Sequence, residues 1–253
     1  MCLIAFAWDV HPKYKLIVSA NRDEFYDRPT AQAGLWEDHP HILGGRDLEA
    51  KGTWMAVSAN GKFAAVTNYR DLSNIRKDAR SRGEIPTDYL NGQYSPMEFL
   101  QHLHNHSEDY NGFNIIVGNQ QELLHYSNYE RKINPIKPGV YGLSNALLDT
   151  PWPKVSLLKQ KFRDSISEDF TDEDLIQLMQ DDQVAEDQIL PDTGVSPELE
   201  KALSAICIRM EGYGTCCSTV ITLDRMGKYA LTEKTYPFGG RPDQIVRFSV
   251  DIK

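Results

Sequence analysis

The sequence predicts an α+β layered sandwich built from a single domain over residues 1–253. Three observations predict it. Apolar strand patterns crowd both ends of the chain, helix signals gather in its middle, and no repeat, linker or low-complexity tract separates them. The alternating strand and helix order that a parallel sheet needs is missing.

Residues 2–8 are apolar at both the even and the odd positions, which is the pattern of a strand buried on both faces. Residues 15–20 repeat it, and the polar run Asn21-Arg22-Asp23-Glu24 is expected directly at that strand's end. Residues 52–58 and 62–67 flank Asn60-Gly61, a strong hairpin signal, with Asn68 at the hairpin's exit. Ser95-Pro96-Met97-Glu98 is a capping box with proline at the first helical position, so a helix follows that buries Phe99, Leu100 and Leu103. Residues 114–118 and 122–126 form a second hairpin, and 140–144 a short strand ending on Asn145. Helices are expected at 152–166, at 172–180 behind Thr171 and Asp174, and at 197–205 behind Ser196. Strands at 218–223, 229–235 and 245–250 close the chain. The loops 35–41 and 72–82 are expected to line a pocket, and 181–194 to be a surface loop.

Charge narrows the partners. Against 27 Lys and Arg stand 36 Asp and Glu, a net −9 whose field repels polyanions, so no nucleic acid and no anionic membrane surface is expected as a partner. No stretch approaches the roughly 20 apolar residues of a membrane span, so stable membrane insertion is not expected. Four cysteines are too few for a disulfide scaffold, and the first residues lack the parts of a signal peptide, so a cytoplasmic protein is expected.

Motif absences narrow the chemistry. There is no glycine-rich dinucleotide fingerprint, no phosphate-loop lysine motif, no CxxC pair and no HExxH, and no cofactor is expected. His102 and His106 share a helix face, as metal ligands can, but that face lies opposite Phe99 and Leu103, so solvated histidines explain it and no metal is expected. Ser144 sits in a loose nucleophile-elbow sequence, but residues 146–151 intervene before the next helix, and the elbow needs that helix at once.

Cys2 differs through its position. Removal of Met1 would leave it with a free α-amine beside its own thiol, and an amine of pKa about 8 serves as general base without any histidine. The bland alternative is a small core residue in a buried strand. The polar run favours chemistry, because a short connection between the first two strands sets its end opposite Cys2. Arg22 could then stabilise a thiolate or oxyanion, and Asp23 could hold the α-ammonium. The plain reading of the run is a turn paired with Arg28.

The chain resembles the NRDE protein family, also called the transport and Golgi organisation 2 family. The likeness is carried by Met1-Cys2, by Asn21-Arg22-Asp23-Glu24 followed by Arg28-Pro29, and by Gly44-Gly45-Arg46-Asp47 and Gly52-Thr53-Trp54. It continues through Thr67-Asn68-Tyr69-Arg70, Gly142-Leu143-Ser144-Asn145 and Gly214-Thr215 before Ser218-Thr219. The family's pattern is in turn similar to N-terminal nucleophile hydrolases of the choloylglycine hydrolase and penicillin V acylase type, which implies a four-layer αββα sandwich. Carried over, Cys2 is the nucleophile, Arg22 and Asp23 the orienting pair, Asn145 and Asn68 the oxyanion donors, and Asn21, Glu24 and Tyr69 substrate contacts. Relatives commonly carry an arginine where this chain has Cys216-Cys217, so that charge must come from elsewhere.

The resemblance implies an amidohydrolase acting on a linear C–N amide bond of a small acyl substrate. The alternative it supports is a binding or carrier protein on the same fold, handling haem or acyl lipids. A redox role for Cys2 requires another cysteine to approach it by folding.

Overall fold

The computed structural model describes residues 2–252. Two antiparallel sheets hold the strands. The first contains β1 (Cys2–Trp8), β2 (Tyr14–Phe25), β10 (Gly139–Leu143), β11 (Tyr213–Asp224), β12 (Lys228–Thr235) and β13 (Gln244–Asp251), in the order β10-β1-β2-β11-β12-β13. The second runs in chain order through β3 (Thr30–Leu35), β4 (Ile42–Asp47), β5 (Met55–Ser58), β6 (Phe63–Asn68), β7 (Phe113–Gly118), β8 (Leu123–Ser127) and β9 (Lys132–Pro135).

The doubly apolar pattern of β1 follows from its place between two of the three cores. Ile4, Phe6 and Trp8 pack with Leu16, Val18, Leu43, Met55, Val57 and Phe63 between the two sheets. Leu3, Ala5 and Ala7 face the other way, onto Val155, Leu158 and Phe162 of α3 (Pro153–Ile166) and Leu175 and Ile176 of α4 (Asp172–Leu178). A third core joins the second sheet to α1 (Glu84–Asn91) and α2 (Pro96–His106) through Ile85, Tyr89, Phe99, Leu100 and Leu103. Four layers, αββα, result, with the two sheets packed face to face and α1–α4 laying apolar faces on their outer sides. Truncating a large side chain in these cores, such as Phe6 or Phe162, costs about 3–5 kcal/mol.

Helix starts follow local chemistry. Ser95 and Glu98 form the capping box of α2, Thr171 and Asp174 that of α4, and Ser196 caps α5 (Pro197–Ala202) by accepting from Leu199 N. At the β5–β6 turn Gly61 holds φ at +80°, the left-handed conformation that hairpin needs. The strands β3, β4 and β9 and the helix α1 go beyond the sequence expectation. Glycines dilute the period-2 signal in β3 and β4, and α1 carries Pro86 and Thr87 without a side-chain cap.

One boundary is corrected. The polar run does not follow the second strand but lies inside it, since β2 continues to Phe25 with β1 on one side and β11 on the other. Two neighbouring ladders satisfy the backbone there, and partners described below satisfy the side chains. Among the described residues no helix is long and apolar enough to cross a membrane.

Candidate active site around Cys2

The short β1–β2 connection sets Cys2 directly opposite Arg22. Arg22 is in turn paired with Cys217, Cys217 with Thr235, and Thr235 with Gln244. Paired residues of antiparallel strands present their side chains on one face, so these five form a row across the sheet on the side facing the second sheet. Asn21 and Asp23, one position out of phase, face the helix layer. The polar run is thus divided between two compartments.

On the inner face, Arg22 is 5% exposed. Its guanidinium lies 4.4 Å over the Trp54 ring, donates to Thr30 Oγ1 at 3.1 Å and stands 3.9 Å from the Glu24 carboxylate. The Trp54 ring occupies the space a Cβ would take on Gly45, 2.3 Å from its ring carbons, so a side chain there would displace the platform beneath Arg22. Arg28 turns away from the run to pair with Asp47 at 2.7 Å.

On the outer face, Asn21 Nδ2 donates to Met179 O and Ile206 O, both at 2.8 Å, and its Oδ1 accepts from Ser218 Oγ at 2.5 Å. These bonds tie β2 to the helix layer, away from the Cys2 thiol. Asp23 is fully buried and accepts from Thr215 Oγ1 at 2.7 Å. Burial pushes its carboxyl up, and the positive charge of Lys154 opposes the shift.

On the other flank, β1 pairs with β10 as far as Ile4 with Leu143, and Ser144 and Asn145 follow directly on the end of β10. Ser144 Oγ donates to Cys2 O at 3.3 Å, which fixes the start of β1 and gives the buried serine a structural task. Asn145 Nδ2 donates to Asn68 O at 3.0 Å, so Asn68, at the end of β6, joins the group from the second sheet. Tyr69 leaves it: its ring stacks on Tyr129 at 3.8 Å.

The matched motif fragments, distant in sequence, touch one another. Arg28 meets Asp47, Asp23 meets Thr215, Thr53 Oγ1 donates to Gly45 O, Thr67 Oγ1 to Ser144 O, and Arg70 N to Asn145 O. Arg70 also forms a buried ion pair with Glu200 of α5 at 2.9 Å.

Sequence reasoning missed Lys154. Its side chain, 2% exposed at the start of α3, has an ammonium without a hydrogen-bond partner among the described residues. Burial lowers its pKa to about 8, and Asp23 opposes that drop. A signal existed: Lys154, Leu158, Phe162 and Ile166 recur every four residues, placing a lysine on an apolar stripe. Arg82 was also missed; half inside the protein, it donates to Gly112 O at 3.0 Å, and burial lowers its pKa while the negative charge of Glu24 opposes that drop.

The Cys2 thiol is 7% exposed, and burial pushes its pKa up to about 11. Cys217 stands two strands away, roughly 9–10 Å between Cα atoms at ordinary strand spacing, beyond the reach of about 7 Å for a disulfide. His102 and His106 are exposed, and among the described residues no cluster of metal-binding side chains forms. The expected removal of Met1 concerns a residue outside the described ones. Residues 73–76 line a separate cleft of about 510 Å³ with Arg131, which contains none of these site residues.

The comparisons with known proteins agree with this convergence of motifs. The pattern of the Transport and Golgi organisation 2 family matches residues 1–237. The Transport and Golgi organization 2 homolog of Mus musculus is 37% identical over 258 residues, covering 93% of this chain and 93% of its own. The Homo sapiens homolog gives the same identity and coverage. Among solved structures, the N-acylethanolamine-hydrolyzing acid amidase ortholog of Caenorhabditis elegans aligns over 96% of this chain and 94% of its own, with a TM-score of 0.44 and 11% identity. With its motif fragments joined in space and its relatives matching along nearly their whole length, the chain belongs to the Transport and Golgi organisation 2 family.

Proposed function

We propose that the protein is a cysteine amidohydrolase of the N-terminal nucleophile type, cleaving a linear C–N amide bond of a small acyl substrate. One observation carries this reading: Cys2 begins a buried strand with Arg22 opposite it on one side and, on the other, Ser144, the residue before Asn145, hydrogen-bonded to its carbonyl. After loss of Met1, the α-amine of Cys2 takes the proton of its own thiol. The thiolate attacks the acyl carbonyl. The oxyanion accepts from Asn145, whose Nδ2 has a second hydrogen beyond the one given to Asn68 O. The ammonium returns its proton to the departing amine, leaving a thioester on Cys2. Water, deprotonated by the same α-amine, then releases the acid and restores the thiol. Arg22 and Lys154 supply positive charge near the thiolate, and Asp23 holds the α-ammonium.

A specific observation favours a second reading, a binding or carrier role. A thiol held near pKa 11 is almost wholly protonated at pH 7 unless the free α-amine activates it. The two readings separate in one experiment on the purified chain. Intact mass establishes whether Met1 is absent, and turnover of a panel of small N-acyl amides is compared with that of Cys2→Ala. The hydrolase reading expects processed protein and a loss of at least about 10³-fold in the variant. Equal rates in the two proteins, or retained Met1 with no turnover, favour the carrier.

A further inference from the structure

Beside Cys2, along the row on the inner face of the sheet, lies a cavity of about 250 Å³. Arg22, Cys217, Thr235 and Gln244 form its floor, Gln32 of β3 and Trp54 one wall, and Arg241, from the segment joining β12 to β13, another. It begins at Arg22, one strand from Cys2, so roughly 5 Å separates its nearest wall from the thiol's strand.

The polar groups around it are unbalanced. Arg241 Nη2 donates to Arg28 O at 3.1 Å, but Arg241 Nη1 is buried with no acceptor among the described residues. Gln32 Oε1 already accepts from Gln244 Nε2, and Gln32 Nε2 is likewise a buried donor with no acceptor. The one carboxyl lining the cavity, Glu233, has both oxygens engaged: Oε1 accepts from Ala33 N at 2.7 Å and Oε2 from Thr219 Oγ1 at 3.0 Å. Burial also pushes Glu233 toward its neutral form. Two guanidinium groups, of which Arg22 has the Glu24 carboxylate at 3.9 Å, therefore border one small space together with two buried N–H groups lacking acceptors, Arg241 Nη1 and Gln32 Nε2. Buried donors and cations in that situation are costly unless an anion accepts from them.

We propose that this cavity takes the carboxylate of a small amide, held by Arg22, Arg241 and Gln32, so that the preferred class is N-acyl amino acids. The assignment of a substrate class rests on the hydrolase reading above; the anion selectivity does not. An N-acylglycine carries its carboxylate a few bonds past the scissile carbonyl, which matches the single strand spacing between Cys2 and Arg22. The cavity is too small for a large headgroup but suits a carboxylate and its adjoining carbon. Arg241 further supplies the positive charge that this chain lacks at Cys216-Cys217, and it lies beyond residues 1–237, the span of the family match.

The test compares N-hexanoylglycine with N-hexanoylglycinamide, which differ only in that carboxylate. Binding to the full chain is measured by calorimetry, and release of glycine or glycinamide is followed in parallel. Wild-type protein is expected to bind the acid at least about tenfold more tightly than the amide. Arg241→Met should erase that preference and Arg241→Lys should retain part of it. Equal affinity for acid and amide in wild-type protein, or an unchanged preference in folded Arg241→Met, overturns the proposal. If Arg241→Met fails to fold, the wild-type comparison and Arg241→Lys decide. A preference for the acid without any glycine release leaves the anion site standing while the hydrolase reading falls. Release of both products without preference does the reverse.

Discussion

The two faces of β2 treat neighbouring residues in opposite ways. Asn21 and Asp23 point into the helix layer, where their polar atoms meet Met179, Ile206, Ser218 and Thr215. Arg22 and Glu24 point between the sheets, where Arg22 rests on Trp54 and borders a cavity. A run of four polar residues is thus two devices. The outer pair locks the strand in place, and the inner pair presents charge beside Cys2. The pleat of the strand makes the division, because successive side chains leave on opposite faces.

This comparison can be broken experimentally. The largest stability effect is expected for Asn21→Ala, which strands two buried carbonyls and leaves the Ser218 hydroxyl with Tyr236 as its remaining partner. A loss of about 3–4 kcal/mol in urea unfolding is expected, and a loss below about 1 kcal/mol would mean that the outer face is not a lock. Lys154→Met tests the same face through pH. The folded protein releases the Lys154 proton near pH 8, whereas the unfolded chain holds it to about 10.5. The unfolded state therefore binds more protons in that window, and wild-type stability should rise with pH between about 8 and 10.5 by up to roughly 3 kcal/mol from this group. The variant should lack that contribution, and an identical pH profile in the two proteins would place the ammonium in solvent. Arg22→Met sharpens the contrast with the smallest stability change. Its stem packing is retained while the contacts with Trp54, Thr30 and Glu24 are lost, so about 1 kcal/mol is expected. Its effect should appear in ligand binding or turnover. A large stability loss with unchanged binding would make Arg22 as structural as Asn21.

Much of the fold was legible in the residues. The doubly apolar β1, the Asn60-Gly61 hairpin and the capping boxes at Ser95 and Thr171 are local signals, and each rests on physics that acts within a few residues. The opposition of Cys2 and Arg22 was legible too, because a short connection leaves an antiparallel hairpin few alternatives. What escaped depended on distant partners. β3 and β4 are weak strands that form because β5 and the inter-sheet core complete them. Lys154 stands on the apolar stripe of its helix, but its neighbour Asp23 comes from a strand about 130 residues earlier, which no local pattern reveals. Arg241 sits in an irregular segment, and no nearby residue announces a cavity 209 positions away in the chain at Gln32.

The sequence by itself determined the strand-and-helix order, the buried character of β1 and the placement of Cys2 against the polar run. These depend on periodicity, turn chemistry and short connections, all set by near neighbours. Only the tertiary structure decided which face each member of the run occupies in the assembled sandwich and what it meets there. Stacking the two sheets closes a cavity over Arg22, and packing the helices covers Asn21 and Asp23. Burial and hydrogen-bond partners arise from segments brought together by layer packing, and no local pattern encodes where those segments will meet.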